Sequence, residues 1–485
     1  MGSGSRIAPD FEVAIIGAGF SGLGMAIRLK KAGIDSFVIL EKAAEVGGTW
    51  RENTYPGCAC DIPSSLYSFS FEPRGNWSRT YPPQPEILAY LIDCADKHGL
   101  RARTRFGTEL VGASFDEAAS LWRLAIAEGP ELTCRFLILA TGPLAKPAYP
   151  KLPGLDRFEG AAFHSAEWDH AFDPTGKRVA VIGTGASAIQ FVPQLAPQAA
   201  SLHVYQRTPP WVLPKADAPV ARQAPSWRRW LARQKAFWGH EMTGAGFAVE
   251  PRLMALVERQ AREYLHAQIA DPDLRMRLSP DYRLGCKRVL ISDDYYPALD
   301  RPNVELITSP IAEVRARSVI AAGGEREVDA IIFGTGFRAT DFLDSIRIAG
   351  RGGNALGDAW RDGAEAYLGT AVAGYPNMFL LVGPNTGLGH NSLVFMIEAQ
   401  LDHVVRCLAE TRRRGASVLE VDGAAQIRFN ERLRRRMRRT VWMTGCKSWY
   451  LDRNGRNTTL WPGFAVEYWW RTSRPRFSDY RFAGG

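Results

Sequence analysis

Apolar residues recur in short runs along the chain, each closed by glycine. Val13-Ala14-Ile15-Ile16 leads into Gly17-Ala18-Gly19-Phe20-Ser21-Gly22, and Val179-Ala180-Val181-Ile182 leads into Gly183-Thr184-Gly185-Ala186-Ser187-Ala188. A short continuous apolar run bounded by turn residues reads as a strand buried on both faces. The first turn runs into a helical pattern over 21–32 and a second apolar run at 37–40; the second repeats that order and ends at 202–207. Strand, glycine turn, helix, strand is the unit from which parallel sheets are built. Further buried strands are predicted at 135–140, 330–333 and 378–382, each ending in a glycine-rich turn. From about 214 to 273 the pattern changes to Trp, Arg and Ala at helical spacing, and a long amphipathic helix is predicted from 391 to about 413.

The two glycine turns are phosphate sites in form, because each presents backbone N–H groups and a helix start to an anion. Their ribose readers have opposite charge. Twenty-four positions after the first glycine stands Glu41 in one unit and Arg207 in the other. A carboxylate there binds a bare ribose diol, whereas an Arg accommodates a 2′-phosphate. The expectation is FAD on Gly17, Gly19, Phe20, Gly22 and Glu41, and NADPH on Gly183, Gly185, Ser187, Ala188, Arg207 and Thr208. Ala188 replaces the third glycine, as NADP-type sites allow. A surface charge at a strand end is the competing reading of Arg207.

The fold class is therefore expected to be α/β, with two interleaved Rossmann-like dinucleotide-binding domains and a helical insertion. Residues 1–150 and 376–485 are assigned to the FAD domain, 151–213 and 301–375 to the NADPH domain, and 214–300 to the insertion.

Composition narrows the class of protein. A chain of 485 residues holds two or three cores, and 46% apolar with 23% charged residues is ordinary for a globular chain. The net charge of +9 is a dispersed Arg surplus, so no nucleic-acid partner is expected. Its densest run, 432–439, interleaves Leu433 and Met437 and reads as an amphipathic helix with a solvated basic face. Seven cysteines include no CxxC and no zinc spacing, so a dithiol reductase and a metal site lose support, and buried thiols in a reducing cytosol are expected. Residues 1–6 lack the features of a secretory signal or a myristoylation site, and the most apolar stretch, 13–27, is too short for a bilayer. A cytoplasmic monomer or homodimer without a membrane partner is the expectation.

Two longer patterns carry a resemblance. Gly47-Gly48-Thr49-Trp50-Arg51-Glu52-Asn53-Thr54-Tyr55-Pro56-Gly57-Cys58-Ala59-Cys60-Asp61 is one; Phe158, Gly160, His164, Trp168 and Asp169 fill every fixed position of the other. Both resemble the fingerprints of type I Baeyer–Villiger monooxygenases, in the flavin-containing monooxygenase superfamily. The resemblance implies that Gly48, Thr49, Trp50 and Asp61 line the flavin. Gly285-Cys286-Lys287-Arg288 ahead of Asp293-Asp294-Tyr295-Tyr296 is similar to the family's Lys-Arg motif. It implies Arg288 as the catalytic guanidinium, Asp61 as its partner, and Lys287 as a 2′-phosphate ligand. By the same resemblance Trp449 contacts the nicotinamide ribose, although 452–457 departs from the common loop. Asn385, in the glycine-rich turn 383–391, faces the flavin; that turn looks like the aryl-ketone branch of the family. Without the resemblance, Lys287-Arg288 reads as a surface pair, Asp61 as a loop cap, and His164 and Trp168 as hinge packing.

The function implied is Baeyer–Villiger oxidation of ketones by O₂ to esters or lactones, through a flavin C4a-peroxide that Arg288 keeps anionic. Sulfide oxygenation is the alternative activity. A redox-sensing flavoprotein is the non-enzymatic alternative, and it has no use for an Asp61–Arg288 pair.

Overall fold

The computed structural model describes residues 8–220, 225–340 and 343–484; the reading of residues 1–6 lies outside them. Phe11–Ile16 is buried toward its end and sits between Phe37–Leu40 and Leu132–Leu139, parallel to both. Thr104–Arg105 extends this sheet on one side. On the other, Leu121–Ile126 and Leu110–Asp116 add as an antiparallel meander, followed by Arg347–Ala349. Met378–Leu380 pairs parallel with Leu132–Leu139. A second sheet of five strands is parallel throughout, in the order Val304–Ile307, Ser201–Tyr205, Arg178–Ile182, Ala330–Phe333, Ala161–His164. The class is α/β, as the alternation of apolar runs and helical patterns predicts.

Both glycine turns lie at the carboxyl ends of central strands, where a doubly wound sheet opens a crevice. Two glycines are sterically obligatory at the first. Gly17 has φ +103°, and a Cβ on Gly22, in the helix Phe20–Lys31, would stand 1.8 Å from the Gly17 carbonyl oxygen. The second turn repeats the constraint: Gly183 has φ +108°, and its Cβ would stand 2.4 Å from the Gly334 oxygen.

The chain rejoins the first sheet earlier than residue 376. Arg347–Ala349 already pairs with Leu110–Asp116, and Leu343, Ile348, Leu356, Val372 and Tyr375 pack with Trp122 and Leu137 under that sheet. A three-residue strand with charged and small neighbours has no apolar run to announce it. The helix expected at 391–413 runs Leu393–Arg413, started by Ser392, whose Oγ accepts from Val394 N–H at 3.2 Å. It lies on Phe20–Lys31, with Arg28 and Asp402 paired at 3.0 Å.

The insertion holds the helices Ser226–Ala248, Met254–Gln268 and Pro272–Leu278. Its base is closed by Val212–Leu213 pairing parallel with Leu290–Ile291. In Ser226–Ala248 the side toward the protein carries Phe237, Glu241, Gly244 and Phe247. In Gly423–Met437, Leu433 and Met437 are buried while Arg432 and Arg435 are exposed, the solvated basic face anticipated for that run. Among the described residues no helix is long and apolar enough to cross a membrane, and no cluster of His, Cys, Asp and Glu could hold a metal.

Gly22→Ala forces the helix away from its own turn. The variant is expected to purify without bound dinucleotide at the first turn and to lose ~1–3 kcal/mol of stability, as overpacking does, checked by visible absorbance and thermal melting.

Candidate active site

The first crevice is built from three pieces. Glu41, 4% exposed at the end of its strand, accepts from Ala18 N–H at 2.8 Å and Ala43 N–H at 3.0 Å. Arg51 Nη1 lies 3.5 Å from Oε1, and a carboxylate with about four acceptor positions still has capacity for a ribose diol. Gly48, at φ +53°, closes against Gly19: a Cβ on Gly48 would lie 3.1 Å from the Gly19 Cα. That approach leaves a groove floored by backbone alone, as a pyrophosphate requires. Thr49 and Trp50 begin the helix Thr49–Glu52, and Trp50 is anchored by its Nε1–H donating to Tyr67 Oη at 3.1 Å. Phe20 packs edge-on against Tyr67 and Phe69 beneath the turn. These residues fit FAD.

The second crevice fits a phosphorylated ribose. Lys287 Nζ stands over the Tyr282 ring at 4.5 Å. Its ammonium is held below the ordinary lysine range by burial first and by the charge of Arg207 second, with Asp281 opposing. Two cations thus approach each other at the end of Ser201–Tyr205, which suits a dianion between them. Thr208 lies beside the turn, its carbonyl accepting from Thr184 Oγ1 at 3.4 Å. Gly185 is exposed, and Ser187 and Ala188 begin the helix Ala188–Leu195.

The two crevices are joined. Gln190, on that helix, accepts from Ala59 N–H and donates to the Ala59 carbonyl, and Tyr55 Oη–H donates to it at 3.1 Å. A few residues on, Asp61 meets Arg288. Its Oδ2 accepts from Arg288 Nε at 2.8 Å and from Nη2 at 2.5 Å. The side chains are 29% and 27% exposed, so one face of the pair remains open. The Asp61 charge, outweighing burial, pushes Arg288 further above its usual range, so the guanidinium never titrates in use. Tyr450 is buried beside it, its hydroxyl pushed up to about 12, chiefly by burial.

The remaining residues expected in the site are placed differently. Trp449 is 45% exposed and tilted on Tyr450 at 4.5 Å. Asn385 is buried at φ +56°, and its amide nitrogen is spent on the Asn457 and Leu460 carbonyls. His164 is wholly buried, and its Nδ1 accepts from Ala166 N–H, which suits the hinge role. Trp168 packs between Phe163 and Phe191.

The cysteine expectation needs correction. Cys286 and Cys446 form a disulfide, with Cα atoms 6.2 Å apart, while Cys58, Cys60, Cys94, Cys134 and Cys407 are free and buried. The partners lie 160 residues apart, so no local spacing reveals them. The bond joins the residue before Lys287-Arg288 to the segment carrying Trp449-Tyr450.

A family model for pyridine nucleotide-disulphide oxidoreductases matches residues 14–233, the stretch containing both glycine turns. A Baeyer–Villiger monooxygenase of Pseudomonas aeruginosa is 52% identical over 466 residues, covering 94% of this chain and 88% of that protein. The chain belongs to the Baeyer–Villiger monooxygenases. A second relative of that name, from Streptomyces coelicolor, is 46% identical over 99% of this chain and 94% of its own length. The crystal structure of OTEMO in complex with FAD and NADP superposes with a TM-score of 0.89 at 29% identity, over 98% of this chain and 100% of that one. Membership of the Baeyer–Villiger monooxygenases makes the chain a flavin monooxygenase working with FAD and NADPH.

Three contributors escaped the motif reading of this Baeyer–Villiger monooxygenase. Gln190 lies just past the second glycine turn, Tyr450 stands in its motif only as the neighbour of Trp449, and the disulfide has no signal beyond the two cysteines themselves.

Alkylation of the denatured, unreduced protein is expected to modify five of the seven cysteines, rising to seven after reduction. Cys446→Ser should lower stability by about 2–4 kcal/mol, the usual loss with a bridge closing a long loop, read from denaturant unfolding.

Proposed function

We propose that this monooxygenase converts ketones to esters or lactones, the balance being ketone, O₂, NADPH and a proton to ester, NADP⁺ and water. One observation carries the reading: Asp61 and Arg288, from separate motifs, meet at hydrogen-bond distance with one face open. When bound, FAD and NADPH supply the reducing equivalents and the activated oxygen. Arg288 presents a permanent cation where negative charge develops on oxygen as the carbonyl is attacked. Asp61 fixes the plane of that guanidinium through two N–H donors and balances part of its charge. Arg207 and Lys287 grip the 2′-phosphate and so select NADPH over NADH. The first sheet carries FAD on Glu41 and the Gly17–Gly22 turn, and the second carries NADPH. Trp449 is assigned to the nicotinamide end and Asn385 to holding the turn 383–391 beside the flavin.

Substrate chemistry divides on Arg288. A ketone requires a nucleophilic oxygen and therefore a nearby cation, whereas a thioether takes oxygen electrophilically and does not. Arg288→Ala is expected to lower ester formation ~10²–10³-fold, as loss of one such donor does, while NADPH oxidation and any sulfoxidation persist. Equal loss of ketone and thioether oxidation would overturn the role given to Arg288.

The lowered Lys287 has a pH signature. Its charge is present below its folded pKa and lost as pH rises through it, and that value lies under the ordinary lysine range. In steady-state kinetics, kcat/KM for NADPH should begin to fall at a correspondingly lower pH. Lys287→Ala should flatten that fall and raise KM for NADPH, leaving NADH unaffected.

A further inference from the structure

Outside the cofactor crevices, one buried carboxylate ties together three parts of the chain. Glu241, on the insertion helix Ser226–Ala248, is 2% exposed. Its Oε2 accepts from Asn391 Nδ2 at 2.9 Å, and its Oε1 accepts from Val466 N–H at 2.9 Å. His390 Nε2 stands 3.6 Å from Oε2, and the His390 side chain is entirely enclosed. Neither ring nitrogen of His390 has a hydrogen-bond partner, so Glu241 is the group its N–H can reach. The imidazole stacks on Phe247, with ring centroids 6.1 Å apart. A Cβ on Gly244 would stand 2.7 Å from its Nε2, so the helix backbone itself presses on the ring.

The place of this cluster gives it meaning. His390 and Asn391 end the turn that follows Met378–Leu380, and that strand lies parallel beside Leu132–Leu139, which lies beside Phe11–Ile16. The turn therefore opens at the same edge as the Gly17–Gly22 crevice. Its far side is held by the C-terminal segment, through Gly387 N–H to the Thr459 carbonyl and Trp461 N–H to the Gly387 carbonyl. His240, next to Glu241, is held below the ordinary histidine range chiefly by burial, with a hydrogen bond to the His390 backbone and the Asp61 charge opposing. Burial pushes the Glu241 carboxyl up, yet His390, Val466 N–H and Asn391 together hold it below the ordinary range. A buried carboxylate with those donors removed is strongly disfavoured, so the three segments stay together or Glu241 is exposed.

We propose that Glu241 is a positioning residue for ketone oxygenation: through Asn391 and His390 it registers the insertion helix against the flavin-side turn and so sets where the ketone sits before Arg288. This rests on the reading of the site as a ketone oxygenase.

The test uses the FAD-loaded enzyme and Glu241→Gln, which keeps the shape and one of the two acceptor contacts but removes the charge that faces His390. His390→Gln and His390→Ala complete the set, the Gln retaining a donor toward Glu241. Three quantities are read: Kd for cyclohexanone and 2-octanone without NADPH, from flavin absorbance; ester and hydrogen peroxide formed per NADPH; and the melting temperature. Glu241→Gln is expected to raise ketone Kd and KM about tenfold and to divert NADPH to hydrogen peroxide, with kcat for NADPH oxidation within about twofold of wild type. His390→Ala should do the same, His390→Gln should recover part of the loss, and the double variant Glu241→Gln/His390→Ala should be no worse than either single one. Variants that melt lower yet keep wild-type ketone Kd, KM and ester yield would overturn the proposal, leaving the cluster as packing. If Glu241→Gln does not fold, the His390 pair decides by the same criteria. A wild-type enzyme forming no ester from either ketone would instead remove the ketone reading on which the proposal stands.

Discussion

A carboxylate and a guanidinium 227 residues apart in the chain have to meet, and the architecture is arranged around that requirement. Asp61 leaves the first sheet on the glycine-rich loop behind Gly48, while Arg288 returns from the insertion just ahead of Leu290–Ile291. Neither charge is cheap to desolvate alone; paired through two N–H donors, each offsets the other's loss of hydration. What separates it from an ion pair such as Arg178–Asp329, which fastens a strand end within the second sheet, is that its partners come from different parts of the fold and meet beside the glycine-rich loop.

The two sheets supply the frame for that meeting by one repeated device. In each, a central strand ends in a glycine whose φ is near +105° and whose backbone touches the turn of a neighbouring strand. Among the positions where the repeats differ are Glu41 against Arg207, twenty-four places after the first glycine, and Gly22 against Ala188 at the helix start. Gln190 then binds the loop of one repeat to the helix of the other, so the two crevices share a wall.

The fold was legible wherever apolar continuity set the backbone. Phe37–Leu40, Arg178–Ile182 and Ala330–Phe333 fall where their runs predict. Arg347–Ala349 was not legible, because its strand character comes from the neighbour Leu110–Asp116 rather than from its own residues. Within the site, charge and spacing pointed to Glu41 and Arg207, and the Arg207 charge acts on Lys287. Asp61 and Arg288 stood out only through resemblance, since a loop Asp and a Lys-Arg pair are common on surfaces. Glu241 gave no signal at all. Its burial follows from the helix face it occupies, and its partners come from segments 150 and 225 residues away.

The Cys286–Cys446 bond turns part of the chain into a closed ring with two tails. Ala330–Phe333 of one sheet and both Arg347–Ala349 and Met378–Leu380 of the other lie on that ring. The stretch of backbone that crosses from the second sheet back to the first is thus enclosed by a covalent circuit. A single cut anywhere between residues 286 and 446 opens the circuit without releasing a fragment, so Lys287 and Arg288 stay tethered to Trp449 and Tyr450 even in a nicked molecule.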